Sequence, residues 1–600
     1  MTAPSPSTLD ETVVHPFDSG VTDPRVVGGK GSSLARMSGL GVPVPPGFTI
    51  GTGAWRARRA GRVDEADLRA EVSAALAAME RVTGRRLGDP ADPLLVSVRS
   101  GAPVSMPGMM DTVLNVGLTP GVADALAERG GCAFADALVA RLQACFADIV
   151  GVPLPADPRA QLDEAIAAVW RSWDAPRARR YRRFRGIGED LGTAVTIQTM
   201  VFGNLDERSG TGVAFTRDPA TGAPGAYGDF LLRAQGEDVV AGGCTPEPLA
   251  SAAEYLPEAF DALSRTLPVL EGAYRDLCDV EFTVEAGRLW VLQARVGQRS
   301  SAAAVRIAVD LVAEGVIDRD EALRRVPACA LADLRRPVRV ADASLPVLGR
   351  GLAASPGTAV GVAAFDPERA EALADAGHDV VLVRPETSPE DVGGMIAAAG
   401  IVTAAGGRAS HAAVVARGLG RPAVCGVDGL TVDAHGATFP SGDRVREGDP
   451  LTVDGATGEV FAGAAELAVP APGPAARQLL DWCAAASVPV LDAAPGAAVR
   501  CTGPDDLPTD TDRPVAVDVE WEGAASAAVL DRTCAALQER GHDHLYLVVP
   551  ADLRGADLSP PPGPWRGIVA PPGVEWAALL VAARLARSAD RAGAPAQAAS

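Results

Sequence analysis

The sequence predicts a multidomain protein of mixed α/β and α+β class, on three grounds. The chain has 600 residues, which is enough for several domains that each bury a core. Apolar residues recur at helical spacing in segments 64–80 and 162–174, whereas 195–202 has the pattern of a buried strand. Two irregular stretches, around 330–350 and just after 465, divide the chain into three parts.

The composition indicates which partners and which cellular compartment to expect. The formal net charge is −21, which argues against non-specific nucleic-acid binding, because that requires basic patches. No uncharged apolar run approaches the roughly 20 residues of a membrane-spanning helix, and the N-terminus has no signal-peptide pattern. The 9 cysteines are scattered singly, without zinc spacing. We therefore expect a cytoplasmic protein with neither a membrane nor a nucleic acid as partner.

The second and third parts show their own elements. In the second part the pattern predicts strands at 380–383 and 400–405, a helix from about residue 410, and a closing hairpin at 449–463. The third part has apolar runs at 514–519 and 545–549 with helical patterns between them. We expect a short α/β segment there, ending in a disordered tail.

Segment 279–295, DVEFTVEAGRLWVLQAR, has the alternation of a β-hairpin. A loop of about three residues, 286–288, is expected to connect its strands. The resulting register pairs Asp279 with Arg295, Glu281 with Gln293, and Phe282 with Leu292 on the opposite face. Four polar side chains would thus share one face of the hairpin.

Lys30 is the only lysine of the chain, in which every other basic side chain is arginine. It lies in the glycine-rich segment 26–37, VVGGKGSSLARM. Arginine can replace lysine on a solvated face, but not where a compact ammonium must fit among phosphate oxygens. The alternative is an ordinary surface lysine.

A second segment, 96–117, has a β-like start that carries Arg99 and Gly101 and continues as a loop rich in glycine, serine and proline. Glycine lets backbone amides approach an anion, and a guanidinium can form two hydrogen bonds to phosphate oxygens. Together with Lys30 and the polar hairpin face, this loop predicts a nucleotide site with Mg²⁺. The alternative for the hairpin carboxylates is a solvent-exposed strand face.

His411 is expected in the first turn of a helix that begins after Gly406 and Gly407, with Ser410 as its N-cap. The positive end of the helix dipole disfavours the imidazolium form and favours an added anion. A neutral imidazole can attack a phosphoryl group. The alternative for a single histidine is a packing or capping role.

These motifs resemble the pyruvate, phosphate dikinase family and, more broadly, enzymes that pass phosphate from ATP through a histidine to a carbonyl acid. The resemblance runs from about residue 20 to 463 and rests on long blocks in the right order. The blocks are GGKGSSLARM (28–37), SVRSGAPVSMPGMMDTVLNVGL (97–118), QTMVFGN (198–204), SGTGVAFTRDPATG (209–222), AQGEDVVAG (234–242), DVEFTVEAGRLWVLQAR (279–295), ASPGTAVG (354–361), VRPETSPEDVGGM (383–395) and GGRASHAAVVARGLG (406–420).

The resemblance implies an ATP-grasp domain over 1–340, a swivelling phosphohistidine β/β/α domain over 345–465, and a short divergent α/β remnant over 470–600. It implies that ATP and inorganic phosphate phosphorylate His411, with Mg²⁺ as cofactor and pyruvate or another small molecule as acceptor. The implied nucleotide-binding residues are Lys30, Arg99, Gly101, Asp279, Glu281, Gln293 and Arg295, of which Glu281 and Gln293 would hold the metal.

Three departures from the family pattern change these expectations. Ala409 stands where many members have a regulatory threonine, so we expect that control to be lost. Cys244 stands where the family usually has arginine, so the handling of a phosphate is expected to differ. Only about 135 residues follow 465, whereas a (β/α)₈ barrel needs about 200–250, so we expect no complete pyruvate/phosphoenolpyruvate barrel.

Several functions stay open at this point. The first is a shortened phosphotransferase of this family, whose acceptor binds to the tail, to another pocket or to another subunit, either in a homodimer or as a separate acceptor protein. The second is a phosphocarrier or regulatory module that passes phosphate from His411 to a partner protein. Weaker alternatives are an antibiotic-modifying phosphotransferase and an inactive relic.

Overall fold

A computed structural model describes residues 13–484, except 63–64, 105, 107–108, 186, 237–245, 336, 341–344, 408–409 and 434–435, and, beyond 484, five short strands. The predicted mixed α/β, multidomain organisation is confirmed. Among the described residues, no helix has both the length and the apolar composition needed to cross a bilayer.

Two five-stranded sheets form the N-terminal half. In spatial order the first sheet contains Val14–Pro16, Gly47–Ile50, Ala194–Thr199, Val96–Gly101 and Thr112–Val116. The second contains Glu247–Pro248, Pro224–Leu232, Gly210–Arg217, Cys278–Glu285 and Arg288–Val296. Each sheet has its own hydrophobic core, and Leu34 and Met37 belong to the core of the second.

Helices cover these sheets, and several begin with a capping residue followed by proline at the first helical position, where its missing N–H costs nothing. They span Pro24–Gly39, Thr52–Arg59, Glu65–Thr83, Pro120–Gly130, Cys132–Cys145, Pro158–Ser172, Pro176–Arg185, Ala252–Tyr255 and Pro257–Tyr274, with a π-helical turn at Phe146–Val150. The helices predicted over 64–80 and 162–174 and the strand predicted over 195–202 are confirmed, each with shifted ends.

A third group of helices, which we call the base cluster, follows the second sheet. It contains Ser301–Ala313, Arg319–Arg325 and Ala328–Asp333, and the later helix Pro474–Ala484 packs into the same core. The stretch around 330–350 is therefore less irregular than predicted. Its short strand Val338–Arg339 pairs with Leu467–Ala468, so the chain enters and leaves the middle part side by side.

The middle part is built on an eight-stranded sheet. In spatial order its strands are Val347–Arg350, Glu459–Ala462, Pro450–Asp454, Thr358–Ala364, Val380–Arg384, Gly400–Thr403, Ala423–Cys425 and Leu352–Ser355. Helices Pro367–Asp375, Val392–Ala397 and His411–Leu419 accompany it, with a small sheet of Thr431–Asp433, Gly436–Thr438 and Arg444–Arg446. The predicted strands, helix and closing hairpin are all confirmed.

Beyond 484, five parallel strands form one sheet. In spatial order they are Val490–Leu491, Trp565–Val569, Leu545–Val548, Val515–Val517 and Val499–Cys501. Strands Val515–Val517 and Leu545–Val548 lie within the apolar runs 514–519 and 545–549. The expected disordered tail lies outside the described residues.

Candidate active site

The segment that carries Lys30 is pressed against the end of a strand of the first sheet. Gly28 interrupts the helix Pro24–Gly39 with φ +69°, and a Cβ at this position would lie 1.8 Å from the carbonyl oxygen of Gly101. The amide of Gly29 donates to the carbonyl of Ala102 at 2.9 Å. Glycine is required at position 28 both for the left-handed backbone and for this close approach. The two glycine-rich loops predicted from the sequence are therefore neighbours.

Lys30 lies half-buried among charges from both sheets. Burial, reinforced by the neighbouring guanidinium of Arg99, lowers the pKa of Lys30 to about 7, while Glu281 opposes the shift and Arg295 adds to it. One ammonium and two guanidinium groups thus converge at this point. Such a convergence favours an anion, because a bound negative charge would relieve the repulsion among them.

The predicted hairpin consists of Cys278–Glu285 and Arg288–Val296. The pairs Asp279–Arg295 and Glu281–Gln293 are confirmed. The pairing of Phe282 with Leu292 is wrong: the register shifts after Glu281, so that Phe282 pairs with Val291. Leu292 is the extra residue of this β-bulge, and bulges commonly re-aim a side chain beside a functional site.

The turn of the hairpin also differs from the prediction. Glu285 pairs with Arg288, which leaves a two-residue turn, Ala286–Gly287, instead of a three-residue loop. Both turn residues have positive φ, +48° and +83°. This is the geometry of a type I′ turn, whose twist matches that of the flanking strands.

Two ion pairs define the polar face of the hairpin. The Nε and Nη2 atoms of Arg295 lie 3.0 and 2.9 Å from Oδ2 of Asp279. Burial raises the pKa of the Asp279 carboxyl, and Arg295 opposes this shift. Nη2 of Arg99, on the first sheet, approaches Oε2 of Glu281 at 3.8 Å. The buried Nε of Arg99 has no hydrogen-bond partner among the described residues.

A cavity of about 250 Å³ lies between the two sheets. Arg99 and Glu281 line it and connect it with the surroundings of Lys30. Its wall also contains residues that sequence reasoning missed, among them Arg141, Gln198, Met200, Thr211 and Leu292. Arg141 gave no signal, because arginine is common in this chain and Arg141 stands in no recognisable motif. A cavity that joins apolar walls to convergent charges is typical of a small-molecule site.

His411 begins the helix His411–Leu419, and the side chain of Ser410 caps this helix by accepting from the amide of Ala413. The Oγ1 atom of Thr387 lies 3.3 Å from Nδ1 of the His411 ring. Burial lowers the pKa of His411, whereas Asp391 and Glu390 oppose the shift. The ring is half-buried and is neutral at neutral pH, as the sequence predicts.

The loop before His411 lies against the second sheet. A Cβ at Gly407 would be 2.5 Å from Oδ2 of Asp229 and 2.6 Å from Cγ of Pro246. The guanidinium of Arg417, on the same helix as His411, is 5.9 Å from the ring centre of Phe215 in that sheet. The middle part is therefore docked on the half that contains the cavity. Cys244 and Ala409, on which two predicted departures depend, lie outside the described residues.

Comparison with known proteins finds two family profiles on this chain. "Pyruvate phosphate dikinase, AMP/ATP-binding domain" matches residues 57–257, and "PEP-utilising enzyme, mobile domain" matches residues 376–458.

Full-length relatives match both regions together. The chain is 44% identical to pyruvate, phosphate dikinase 1 of Oryza sativa subsp. japonica over 508 residues, which cover 76% of this chain and 54% of that protein. It is 42% identical to pyruvate, phosphate dikinase 2 of Zea mays (80% and 61% covered), and 41% identical to pyruvate, phosphate dikinase of Rhizobium meliloti (76% and 58%). The chain thus spans between half and two thirds of the length of these relatives.

Proposed function

Because this chain belongs to the pyruvate, phosphate dikinase family, we propose that it uses ATP and inorganic phosphate to phosphorylate His411, and then passes the phosphoryl group to pyruvate or another acceptor. One observation carries the proposal. Lys30, Arg99 and Arg295 converge beside a cavity between two sheets, and the helix of His411 is docked on one of those sheets.

The proposal assigns three units. Residues 1–340 form an ATP-grasp domain, with the nucleotide clamped between its two sheets. Residues 345–465 form the swivelling phosphohistidine domain, and 470–600 contain the remaining α/β segment. Because helix Pro474–Ala484 packs into the base cluster, the third unit is better begun after that helix.

The cations of the cleft would hold the polyphosphate. Lys30, next to Gly101, supplies a compact ammonium, and Arg99 offers an unpaired buried Nε. Arg295 donates to Asp279 in this structure. It could donate to phosphate oxygens instead, because this ion pair lies at the proposed nucleotide site. Arg141 would add a fourth cationic group from the far wall of the cavity.

Mg²⁺ fits the cross-strand pair of Glu281 and Gln293, which offers one carboxylate and one amide oxygen. The described residues contain no group of three or more His, Cys, Asp or Glu side chains that could hold a metal. Mg²⁺ is commonly held by only one or two protein ligands, as this pair would provide, and takes its other ligands from water and substrate phosphates. When bound there, the ion would neutralise charge on the phosphates.

His411 would act as the nucleophile. If Nδ1 carries the proton and its N–H donates a hydrogen bond to Oγ1 of Thr387, the lone pair of Nε2 is free to attack. A new Nε2–P bond forms to the β-phosphorus of ATP while the bond from that phosphorus to the α-phosphate oxygen breaks, and AMP leaves. Attack of inorganic phosphate on the γ-phosphorus then releases pyrophosphate and leaves phosphohistidine.

The acceptor is the open part of the proposal. The second candidate is a phosphocarrier, in which His411 passes phosphate to a partner protein.

Nucleotide products test the first half of the reaction. The chain is incubated with Mg²⁺ and ATP, with and without phosphate, beside His411→Asn as the matched control. We expect AMP that depends on His411 and is limited to a single turnover without phosphate, and pyrophosphate only when phosphate is added. Formation of ADP, or equal products from the variant, would refute the proposal. Adding pyruvate afterwards distinguishes the acceptors: loss of phosphohistidine supports dikinase turnover, whereas retention supports the carrier.

A further inference from the structure

Arg417 is a buried cation at the contact between the middle part and the N-terminal half. It is on the last turn of the helix that begins with His411, and its side chain is only 3% exposed. Its Nη1 donates to the carbonyl of Ala354, within its own unit, at 2.8 Å. Burying a charge is costly unless further groups stabilise it.

Groups of the other unit lie close to this guanidinium. It is 5.9 Å from the ring centre of Phe215, and Phe215 pairs with Asp279 on the neighbouring strand, so the two side chains share one face of the sheet. The contact around the guanidinium is close, since a Cβ at Gly418 would lie 3.8 Å from Oε1 of Gln298. Arg417 thus places a positive charge of the mobile unit near a carboxylate of the candidate nucleotide site.

We propose that Arg417 is a positioning residue that couples occupation of the nucleotide site to docking of the His411 unit. The inference rests on the proposed function, because it takes Arg295 and Asp279 as parts of the nucleotide site. It goes beyond that function by assigning a role to a residue that touches neither nucleotide nor phosphohistidine.

The coupling depends on Asp279, which is paired with Arg295 and also attracts Arg417. In the present structure Arg295 holds Oδ2 of Asp279 at 2.9 Å. A bound polyphosphate draws Arg295 towards its own oxygens, and the carboxylate then loses part of its compensating charge. Asp279 attracts Arg417 more strongly in that state, so ATP favours the docked unit. Departure of the products restores the Arg295–Asp279 pair and weakens docking.

Disulfide trapping measures docking without requiring catalysis. Gln298→Cys and Gly418→Cys are introduced together, and formation of the 298–418 disulfide is followed by mass spectrometry with and without Mg²⁺ and a non-hydrolysable ATP analogue. We expect the analogue to raise the trapping rate at least about fivefold, the lower end of ordinary site–site coupling. With Arg417→Met added, the rate should no longer respond to the analogue, and Arg417→Lys should restore part of the response.

Further measurements distinguish a loss of coupling from a loss of folding, and test the coupling independently of the proposed function. Because coupling is reciprocal, Arg417→Met should still bind the analogue, with a calorimetric affinity reduced by no more than the coupling factor. Arg369→Met, at an exposed arginine of the same unit, should behave like the parent. An unchanged nucleotide response in Arg417→Met overturns the inference, as does a parent that forms phosphohistidine yet shows no response. A parent that responds but forms no phosphohistidine refutes the proposed function while supporting the coupling.

Discussion

Lys30 is set between two arginines and a glycine turn, and this setting explains why one lysine persists in an arginine-rich chain. The close approach of Gly28 to Gly101 leaves little room beside the lysine. A guanidinium is broader than an ammonium and cannot act as a compact point charge. We therefore expect position 30 to require the shape of lysine as well as its charge.

Replacing Lys30 with Arg should slow phosphohistidine formation by about 10- to 100-fold, because charge-assisted hydrogen bonds worth about 1.5–3 kcal/mol are lost or misplaced. Single-turnover phosphorylation of His411 measures the effect. Arg25→Lys, at an exposed position of the same helix, is the matched control and should be neutral. A near-normal rate in Lys30→Arg would show that the ammonium has no special role.

Nucleotide binding should take up a proton near pH 8. In the free protein the pKa of Lys30 is about 7, so the side chain is mostly neutral at pH 8. Bound phosphates favour the ammonium and raise this pKa, so affinity falls as the pH rises above 7. Calorimetry in two buffers of different ionisation enthalpy measures the uptake. Lys30→Met should abolish it, and an equal uptake in that variant would contradict the assignment.

The rate of phosphohistidine formation should also depend on pH, because only the neutral form of His411 is nucleophilic. Burial lowers its pKa, so the neutral, nucleophilic form persists to lower pH than for a solvated imidazole. The rate of phosphohistidine formation should therefore stay high on lowering the pH to 6.5, and fall only below that. Single-turnover rates between pH 5 and 7.5 check this, and a decline centred above 6.5 would contradict it.

For individual strands and helices, the sequence pattern predicted the features that depend on which face of an element is buried. Alternation of apolar residues correctly paired Asp279 with Arg295 and Glu281 with Gln293, since one face of the hairpin must be buried. The bulge at Leu292, which lines the cavity, was missed because the alternation of apolar residues does not reveal an extra residue in one strand. Arg141 was missed for a similar reason: its helix meets the cavity only in the folded protein.

Gly28→Ala should destabilise the N-terminal half by about 2–4 kcal/mol, since it combines a left-handed backbone with a steric overlap. Chemical denaturation monitored by tryptophan fluorescence measures the shift. Gly39→Ala is the matched control, because a Cβ there meets nothing within 4 Å and alanine favours the helix. Equal stabilities of the two variants would show that the turn at Gly28 is not constrained.

Across the whole molecule, the middle part is inserted between two segments of the base cluster. The chain leaves that cluster after Asp333, and it returns through Leu467–Ala468 to helix Pro474–Ala484. The sequence break after 465 suggested a new unit, whereas this helix buries Leu479 and Cys483 against the N-terminal half. A boundary of this kind depends on long-range packing, which composition does not reveal.

Leu479→Ala should weaken the base cluster by about 2–5 kcal/mol, as expected for a truncated buried leucine. Hydrogen exchange should become faster in Ser301–Ala313, which shares its core, and remain unchanged in Val380–Arg384. Gln478→Ala, at an exposed neighbouring position, is the control. Faster exchange in the middle part alone would show that the helix belongs to that unit.

The most direct test of phosphoryl transfer from ATP to His411 is the origin of the phosphorus on that residue. The chain is incubated with Mg²⁺, phosphate and ATP labelled at the β position, and the peptide that contains His411 is analysed by mass spectrometry under conditions that preserve phosphohistidine. The account predicts β-derived label on His411, accompanied by AMP. A His411 peptide without phosphate, or one carrying unlabelled phosphate with ADP as product, as expected for transfer from the γ position, would contradict it.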